Sequence, residues 1–347
     1  MSAAWSAVEP PQFAYFIAVA SLSSPYVTAY PWDNVTGFGA KYTNPSPLPV
    51  GIADGVAFSP DGSAIAVGHD GTPYITVYAW SGSGFGAKYN NPSPRPTGNG
   101  HGVAFSPDGA AIAVGHEVSP YVTVYSWSGT GFGSKYADPS TLPTGVGNGV
   151  AFSPDGSTIA VAHSVTPFIS AYPWDNVSGF GTKYANPSTL PTGGGLSVAF
   201  SPNGLAIAVG QSTTTRVSAY PWSGSGFGTK YSDPSTPPTG SGRSVAFSPD
   251  GSAIAVAHPN TPLISAYPWS GSGFGTKYAD PSTLPSGGAT GVAFSPDGLA
   301  IAVAHVASPF ISTYPWDNVS GFGTKYANPS TLPAGTGYAV AFGAIQL

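Results

Sequence analysis

A repeat of 47 or 48 residues, with four short apolar segments in each unit, predicts an all-β propeller of seven blades. A four-stranded unit cannot bury both faces alone, so the units are expected to stack in a ring. No segment has the 3.6-residue periodicity of an amphipathic helix. The string VAFSPDG, or a near or shortened copy of it, begins at Val56, Val103, Val150, Val198, Val245, Val292 and Val340. One tryptophan marks each unit, at Trp32, Trp80, Trp127, Trp174, Trp222, Trp269 and Trp316.

The fourth unit shows the first two predicted strands. The first strand is the short apolar run Gly149–Phe152. The segment Ser153–Gly156 is predicted to be a tight turn, because proline fixes φ and Asp-Gly tolerates left-handed backbone. The second strand is the apolar run Ile159–His163.

The same unit supplies the outer two strands. The third, Phe168–Trp174, is rich in β-branched and aromatic residues, as strands are. A turn at Asp175–Gly179 precedes the fourth strand, Phe180–Tyr184. The Pro/Gly/Ser/Thr-rich segment Ala185–Leu196 is the predicted connection to the next unit.

The order of strand types predicts how the ring closes. The chain starts with a second strand, Tyr15–Ala20, and ends with a first strand, Tyr338–Phe342. Pairing these two strands in one blade would leave no open edge in the ring. The predicted boundaries are an N-terminal extension at 1–13, one propeller domain at 14–343 whose blade one combines 14–46 with 338–343, and a C-terminal tail at 344–347.

Composition narrows the classes of function. Only 7% of the 347 residues are charged and the formal net charge is −5, which argues against a basic nucleic-acid-binding protein. The absence of cysteine excludes disulfides, thiolate metal sites and a cysteine nucleophile. No apolar run reaches the ~20 residues that span a bilayer, so membrane insertion is not expected. Phe13–Leu22 imitates a secretory signal, but it has no basic flank and part of it recurs inside the chain.

The histidines that end the second strands are the candidate ligand-binding residues. They would circle one face of the disc and could donate hydrogen bonds to sugar hydroxyls or anions. The alternative is that each histidine bonds the backbone of its own turn. A shared metal is not expected, since side chains on separate blades lie too far apart for one ion. The candidates, with the glutamine that replaces one histidine, are His69, His116, His163, Gln211, His258 and His305.

A lysine on the outermost strand of each unit, and a tryptophan in the N-terminal extension, are candidate partner contacts. The alternative for the lysines is that a charge on an edge strand prevents edge-to-edge aggregation. Tryptophan and tyrosine rings in the third strands could stack on sugars, but packing between blades explains them as well. The partner-contact candidates are Trp5, Lys41, Lys88, Lys135, Lys183, Lys230, Lys277 and Lys325.

Catalysis has little support in the repeat pattern. A catalytic site needs an asymmetric set of groups with distinct roles, whereas most polar residues here recur in every unit. The charged residues that do not recur fall on different strands and connections, so no catalytic residue is predicted. They are Glu9, Asp54, Arg95, Glu117, Arg216 and Arg243.

The phrase VAFSPDGxxIAV, followed by an aromatic strand ending in tryptophan, resembles the WD-repeat propellers over residues 14–343. That family carries a Gly-His pair before the first strand and an aspartate between strands two and three. Here only His101-Gly102 and the turn Asp70–Thr72 approach this pattern. The resemblance implies a seven-bladed propeller of a divergent prokaryotic or phage type.

The function expected from these observations is non-enzymatic. One form is multivalent binding outside the cell to a surface ligand such as a glycan, and another is a virion component such as a phage decoration or tail protein. Weak sites repeated in a rigid ring gain avidity. The alternative is an intracellular interaction scaffold of WD-repeat type, with a cytoplasmic location. The expected partners are a cell-surface ligand or other virion proteins, and no cofactor or metal is predicted.

Overall fold

The computed structural model describes residues 12–347, which form seven antiparallel sheets arranged as blades in a ring. The predicted all-β, seven-bladed fold is confirmed. The first strand of each blade lies beside the first strands of the two neighbouring blades, so these strands line the centre of the ring. Within residues 12–347, no helix is long and apolar enough to cross a membrane.

The first four blades each contain four strands in radial order. Blade one consists of β27 (Gly337–Gln346), β1 (Phe13–Ser21), β2 (Val27–Asp33) and β3 (Gly37–Phe38). Blade two consists of β4 (Ala53–Phe58), β5 (Ala64–His69), β6 (Ile75–Trp80) and β7 (Phe85–Lys88). Blade three consists of β8 (Gly100–Phe105), β9 (Ala111–His116), β10 (Val122–Trp127) and β11 (Phe132–Lys135). Blade four consists of β12 (Gly147–Phe152), β13 (Thr158–His163), β14 (Ile169–Asp175) and β15 (Gly179–Phe180).

The last three blades repeat this plan, and their outer strands are as short as those of blades one and four, or shorter. Blade five consists of β16 (Gly195–Phe200), β17 (Ala206–Gln211) and β18 (Val217–Pro221). Its fourth element is reduced to one bridge between Trp222 and Phe227. Blade six consists of β19 (Ser244–Phe247), β20 (Ala253–Ala257), β21 (Ile264–Ser270) and β22 (Gly273–Phe274). Blade seven consists of β23 (Ala289–Phe294), β24 (Ala300–His305), β25 (Ile311–Asp317) and β26 (Gly321–Phe322).

The two ends of the described chain meet in blade one and close the ring, as predicted. Strand β27 pairs antiparallel with β1, with Val19 opposite Val340. The pairing continues outward to Phe13 opposite Gln346. The predicted tail at 344–347 is therefore largely the end of the last strand, because Ala344 and Ile345 share the ladder with β1.

The core lies between blades and follows from an alternation of large and small residues. In β13, Ile159 and Val161 pack against blade three, whereas Ala160 and Ala162 receive the large residues of blade five. Because side chains alternate across a strand, one sequence makes one bulky and one flat face. Identical blades can then interlock around the ring.

The tryptophans seal the outer part of each interface. The Trp174 ring meets Phe180 of its own blade at 5.2 Å and Tyr136 of the preceding blade at 4.8 Å, both edge to face. The Tyr136 hydroxyl donates to the Asn176 carbonyl, and Trp174 is 5% exposed. The tryptophan and tyrosine rings at this position therefore pack between blades.

Candidate functional site

The strand-two histidines are inside the blades. All six candidates, including Gln211, have no exposed surface. In blade four, His163 Nε2 lies 3.0 Å from Ser170 Oγ of the next strand and Nδ1 lies 2.8 Å from the Val165 carbonyl oxygen. The structure therefore gives the binding role no support. His163 bonds its own turn, as in the alternative, whereas Nδ1 of His69, His116 and His305 has no hydrogen-bond partner among residues 12–347. The residues concerned are His69, His116, His163, Gln211, His258 and His305.

Burial also determines the protonation state of the strand-two histidines. Removal from water lowers the pKa of the five histidines to about 4, because the protonated form loses its hydration. These side chains are therefore neutral at pH 7. Gln211 replaces the histidine in blade five, where its amide donates to Ser218 Oγ at 3.1 Å.

The lysine candidates bond within their own blades. Each ammonium group donates to an oxygen three residues later in the chain, for example Lys135 to Asp138 and Lys183 to Asn186. These contacts fold the start of the connection after strand four onto its own edge, and the partner role of the lysines stays a prediction. Trp5 lies outside the described residues.

A different set of residues surrounds the central cleft. Seven side chains line a cavity of about 470 Å³ at the middle of the ring, one from each blade. They occupy one repeat position, two residues before the valine of the VAF string. The lining residues are Asp54, His101, Asn148, Leu196, Arg243, Thr290 and Tyr338.

A backbone irregularity presents these side chains to the cleft. In blade two the pairing register between β4 and β5 shifts between Ala53 and Gly55, so that Asp54 lies in a β-bulge. The same shift occurs around His101, Asn148, Leu196 and Thr290. A bulge adds an unpaired residue and re-aims its side chain, a device common beside active sites. Small neighbours are required here, since a Cβ on Gly147 would lie 2.1 Å from the Tyr121 carbonyl oxygen.

Two residues of the cleft form an ion pair when the histidine is protonated. His101 Nδ1 lies 3.1 Å from Asp54 Oδ2, and the side chains are each 26% exposed. A carboxylate on Nδ1 holds the ring in the tautomer whose Nε2 is an acceptor. Asp54 and His101 therefore form a pair that can take a proton from a bound water.

The other lining residues differ in chemistry and in how firmly they are held. The Asn148 amide donates to the Gly195 carbonyl at 2.7 Å, and the Thr290 hydroxyl donates to the Ala304 carbonyl at 3.0 Å. Arg243 is exposed in the cleft, on the blade across the ring from Asp54 and His101. The cleft thus has a proton-accepting side and a cationic side.

Sequence reasoning missed this site although a signal was present. The candidates above occupy positions that recur in the units, whereas the cleft is built from the position at which all seven units differ. Asp54 and Arg243 are not scattered, because the ring brings them to one cavity. Within residues 12–347, no three His, Cys, Asp or Glu side chains converge in a way that could hold a metal ion.

Comparison with solved structures finds the same architecture in bacterial proteins. A candidate 6-phosphogluconolactonase from Bacteroides uniformis is 16% identical, with a TM-score of 0.72 over 96% of this chain and 100% of that one. Another from Bacteroides fragilis is 12% identical, with a TM-score of 0.73 over 95% and 98%. The periplasmic gluconolactonase of Pseudomonas aeruginosa is 15% identical, with a TM-score of 0.70 over 95% and 99%. No protein-family model and no curated protein matches the sequence, so the WD-repeat relationship stays a prediction.

These findings correct the functional expectation. A non-enzymatic glycan-binding or virion protein was expected, with no enzymatic activity. Three of the structural neighbours are instead named as a gluconolactonase or candidate 6-phosphogluconolactonases, which contradicts that expectation. The premise that unlike polar groups lie apart is also wrong, since Asp54, His101 and Arg243 line one cleft.

Proposed function

We propose that the protein is a hydrolase that opens the ring ester of a sugar-acid lactone in the central cleft. The observation that carries this proposal is that the position at which all seven units differ lines one cavity, in a chain whose strand and Ser-Pro-Asp-Gly turn positions recur. A binding ring of equal sites has no use for such asymmetry, whereas a catalytic site requires it.

The hydrolysis assigns a role to the paired residues. His101 Nε2 accepts a proton from a water molecule as the water oxygen attacks the lactone carbonyl carbon. The ring C–O bond then breaks, and the imidazolium returns the proton to the departing ring oxygen, which becomes a hydroxyl group. Asp54 holds the tautomer of His101 and stabilises its transient positive charge. One water is consumed and a hydroxy acid is released.

The opposite side of the cleft supplies substrate binding. The Arg243 guanidinium can bind an anionic substituent of the sugar acid with two parallel hydrogen bonds. Tyr338 adds a phenol that can bond sugar hydroxyls, and Leu196 adds an apolar wall. A cavity of about 470 Å³ accommodates a six-membered lactone with a short substituent.

The names of the structural neighbours supply the substrate class, because three of them are named for gluconolactone or its 6-phosphate. Their identities of 12–16% support the fold, and the chemistry rests on the cleft of this chain. Purified protein should release acid from δ-gluconolactone or 6-phosphogluconolactone, followed in a pH-stat above the buffer rate. Buffer-level release from both lactones would contradict the proposal.

A further inference from the structure

The face of the disc opposite the central cleft carries a second kind of cleft, between the strand-one turn of one blade and the strand-three tryptophan of the next. Three tryptophans are followed by Asp-Asn-Val, and in each case the asparagine bridges the two sides of this cleft. Trp32 Nε1 donates to Asn34 Oδ1 at 2.8 Å, and Asn34 Nδ2 donates to Asp297 Oδ2 of the neighbouring blade at 2.5 Å. The carboxamide thus connects an indole donor to a carboxylate acceptor.

The same bridge recurs in the two sister turns. Trp316 Nε1 donates to Asn318 Oδ1 at 2.7 Å, and Asn318 Nδ2 donates to Asp250 Oδ2 at 2.6 Å. The sequence Trp174–Asn176 makes the equivalent bridge to Asp108. Three independent copies therefore show that this donor and acceptor pair matches a primary carboxamide.

Two other clefts keep the donor and the acceptor but have a Ser-Gly turn in place of Asp-Asn-Val. Trp127 and Asp61 line one cleft of about 580 Å³. Trp222 and Asp155 line the other, of about 420 Å³. Among residues 12–347, neither indole N–H has a protein acceptor, although the two tryptophans are only 5% and 4% exposed.

The acceptors are positioned as in the bridged clefts. Asp61 Oδ1 is held by the Ser59 hydroxyl at 2.6 Å and the Ser63 amide at 3.0 Å, which leaves Oδ2 toward the cleft with one donor, the Ser63 hydroxyl. A carboxylate oxygen can accept a second hydrogen bond. Burial raises the pKa of Asp61, but these hydrogen bonds lower it by more, so that the pKa lies below its ordinary value. The carboxyl group is therefore ionised at pH 7.

We propose that the clefts at Trp127 and Trp222 are binding sites for a primary carboxamide, separate from the lactone site. The carbonyl oxygen accepts from the indole N–H and the amide nitrogen donates to the carboxylate, as the chain's own asparagines do in the other clefts. The carboxamide can come from a free small molecule or from an Asn or Gln side chain of a peptide.

The test is a titration of the ¹⁵N-labelled protein with propionamide, observing the indole N–H signals. The signals of Trp127 and Trp222 should shift and saturate in the millimolar range, as expected for a ligand of few atoms. Those of Trp32, Trp174 and Trp316 should not move, because an asparagine already occupies the site. Propionate, which lacks the N–H donors, should shift none of them.

Two variants and one natural control make the test specific. Asp61→Asn replaces the acceptor with a donor and should abolish the Trp127 shift while the Trp222 shift persists. The chain already has asparagine at this turn position in blade five, at Asn203, which the Ser201 hydroxyl bonds as Ser59 bonds Asp61. The equivalent tryptophan of the next blade is Trp269, and its signal should therefore not shift. Asn176→Ala should make Trp174 responsive.

The outcomes decide the proposal and the source of the ligand. Equal shifts of all tryptophan signals, no shifts, or an unchanged Trp127 response in Asp61→Asn would overturn it. Tighter binding of the peptide Gly-Asn-Gly than of propionamide would assign the sites to a protein-borne side chain. Equal binding would assign them to a free amide.

Discussion

His101 Nδ1 lies 3.1 Å from Asp54 Oδ2, although the two residues are 47 positions apart and belong to neighbouring blades. They occupy the same position of successive repeats, and each lies in a bulge of an innermost strand. The pair is therefore a product of blade stacking, since no local segment contains both residues. A ring of near-identical units can build an asymmetric site in this way by varying one position.

Replacing the carboxylate of this pair should impair catalysis without unfolding the protein. In Asp54→Asn, the new amide can donate to His101 Nδ1, which favours the tautomer with a protonated Nε2 that cannot accept from water. We expect kcat for lactone hydrolysis to fall about a hundredfold or more. Asp138→Asn makes the same change at an exposed partner of Lys135 and should leave kcat unchanged. Equal activity of the two variants would remove Asp54 from the mechanism.

Arg243 should determine the preference for an anionic substrate. Arg243→Leu removes the charge on the far side of the cleft, and hydrogen bonds to a charged group are worth about 1.5–3 kcal/mol. The KM for 6-phosphogluconolactone should rise about ten- to hundredfold, with a smaller rise for gluconolactone. Arg95→Leu, which changes an exposed arginine outside the cleft, is the matched control. An equal rise for both substrates would argue against an anion site at Arg243.

The buried histidines should make the fold sensitive to mild acid. Their pKa is about 4 in the folded protein and near 6.5 in the unfolded chain, so the unfolded chain binds more protons between these values. The contribution of these histidines to the free energy of unfolding is fully present above pH 6.5. It falls as the pH drops toward 4, by up to about 1.4 kcal/mol per histidine per pH unit. Urea unfolding at pH 7 and pH 5 measures this loss.

One of the titrating histidines can be replaced by a residue that the fold already accommodates at the same position. His163→Gln copies the residue that blade five already has at Gln211, which bonds the equivalent serine. Between pH 7 and pH 5 the free energy of unfolding should fall less in the variant than in the original chain, and the difference should equal the contribution of one histidine. A slope identical to that of the original chain would show that His163 is not held neutral in the fold.

The small residues beside the cleft should be intolerant of a methyl group. In Gly147→Ala the Cβ would lie 2.1 Å from the Tyr121 carbonyl oxygen, so either backbone must shift. We expect a loss of about 1–3 kcal/mol in the free energy of unfolding. Gly271→Ala, where nothing lies within 4 Å of the new Cβ, should change it by less than about 0.5 kcal/mol. Comparable losses at both positions would contradict this account of the bulge.

The fold was predictable because the same sequence pattern recurs in each of the seven units. Each unit carries the same turn at Ser-Pro-Asp-Gly and the same large–small alternation, so seven copies confirm one interpretation. The outer strands were less predictable. Gly179–Phe180 replaces the expected Phe180–Tyr184. The four-residue outer strands of blades two and three lie beside Ala79 and Ser126, whereas blade four has Pro173 at this position, which has no N–H to donate to the ladder.

The site was less predictable for a physical reason. A bulge depends on the close approach of neighbouring blades, such as the packing of Gly100 against the Tyr74 carbonyl, and a single strand carries no trace of that contact. Whether His163 points outward or into its blade is likewise decided by the serine at position 170 across the ladder. Comparing units column by column would nevertheless have singled out Asp54, His101 and Arg243.

The most direct test of the account compares lactone hydrolysis by the original chain, His101→Gln and His163→Gln. The two variants make the same substitution, once in the central cleft and once inside a blade. We expect His101→Gln to lower kcat about 10²–10⁴-fold, the usual contribution of a general base, and His163→Gln to retain full activity at pH 7. Equal activity of all three proteins, or none in the original chain, would contradict a lactonase site at the centre of the ring.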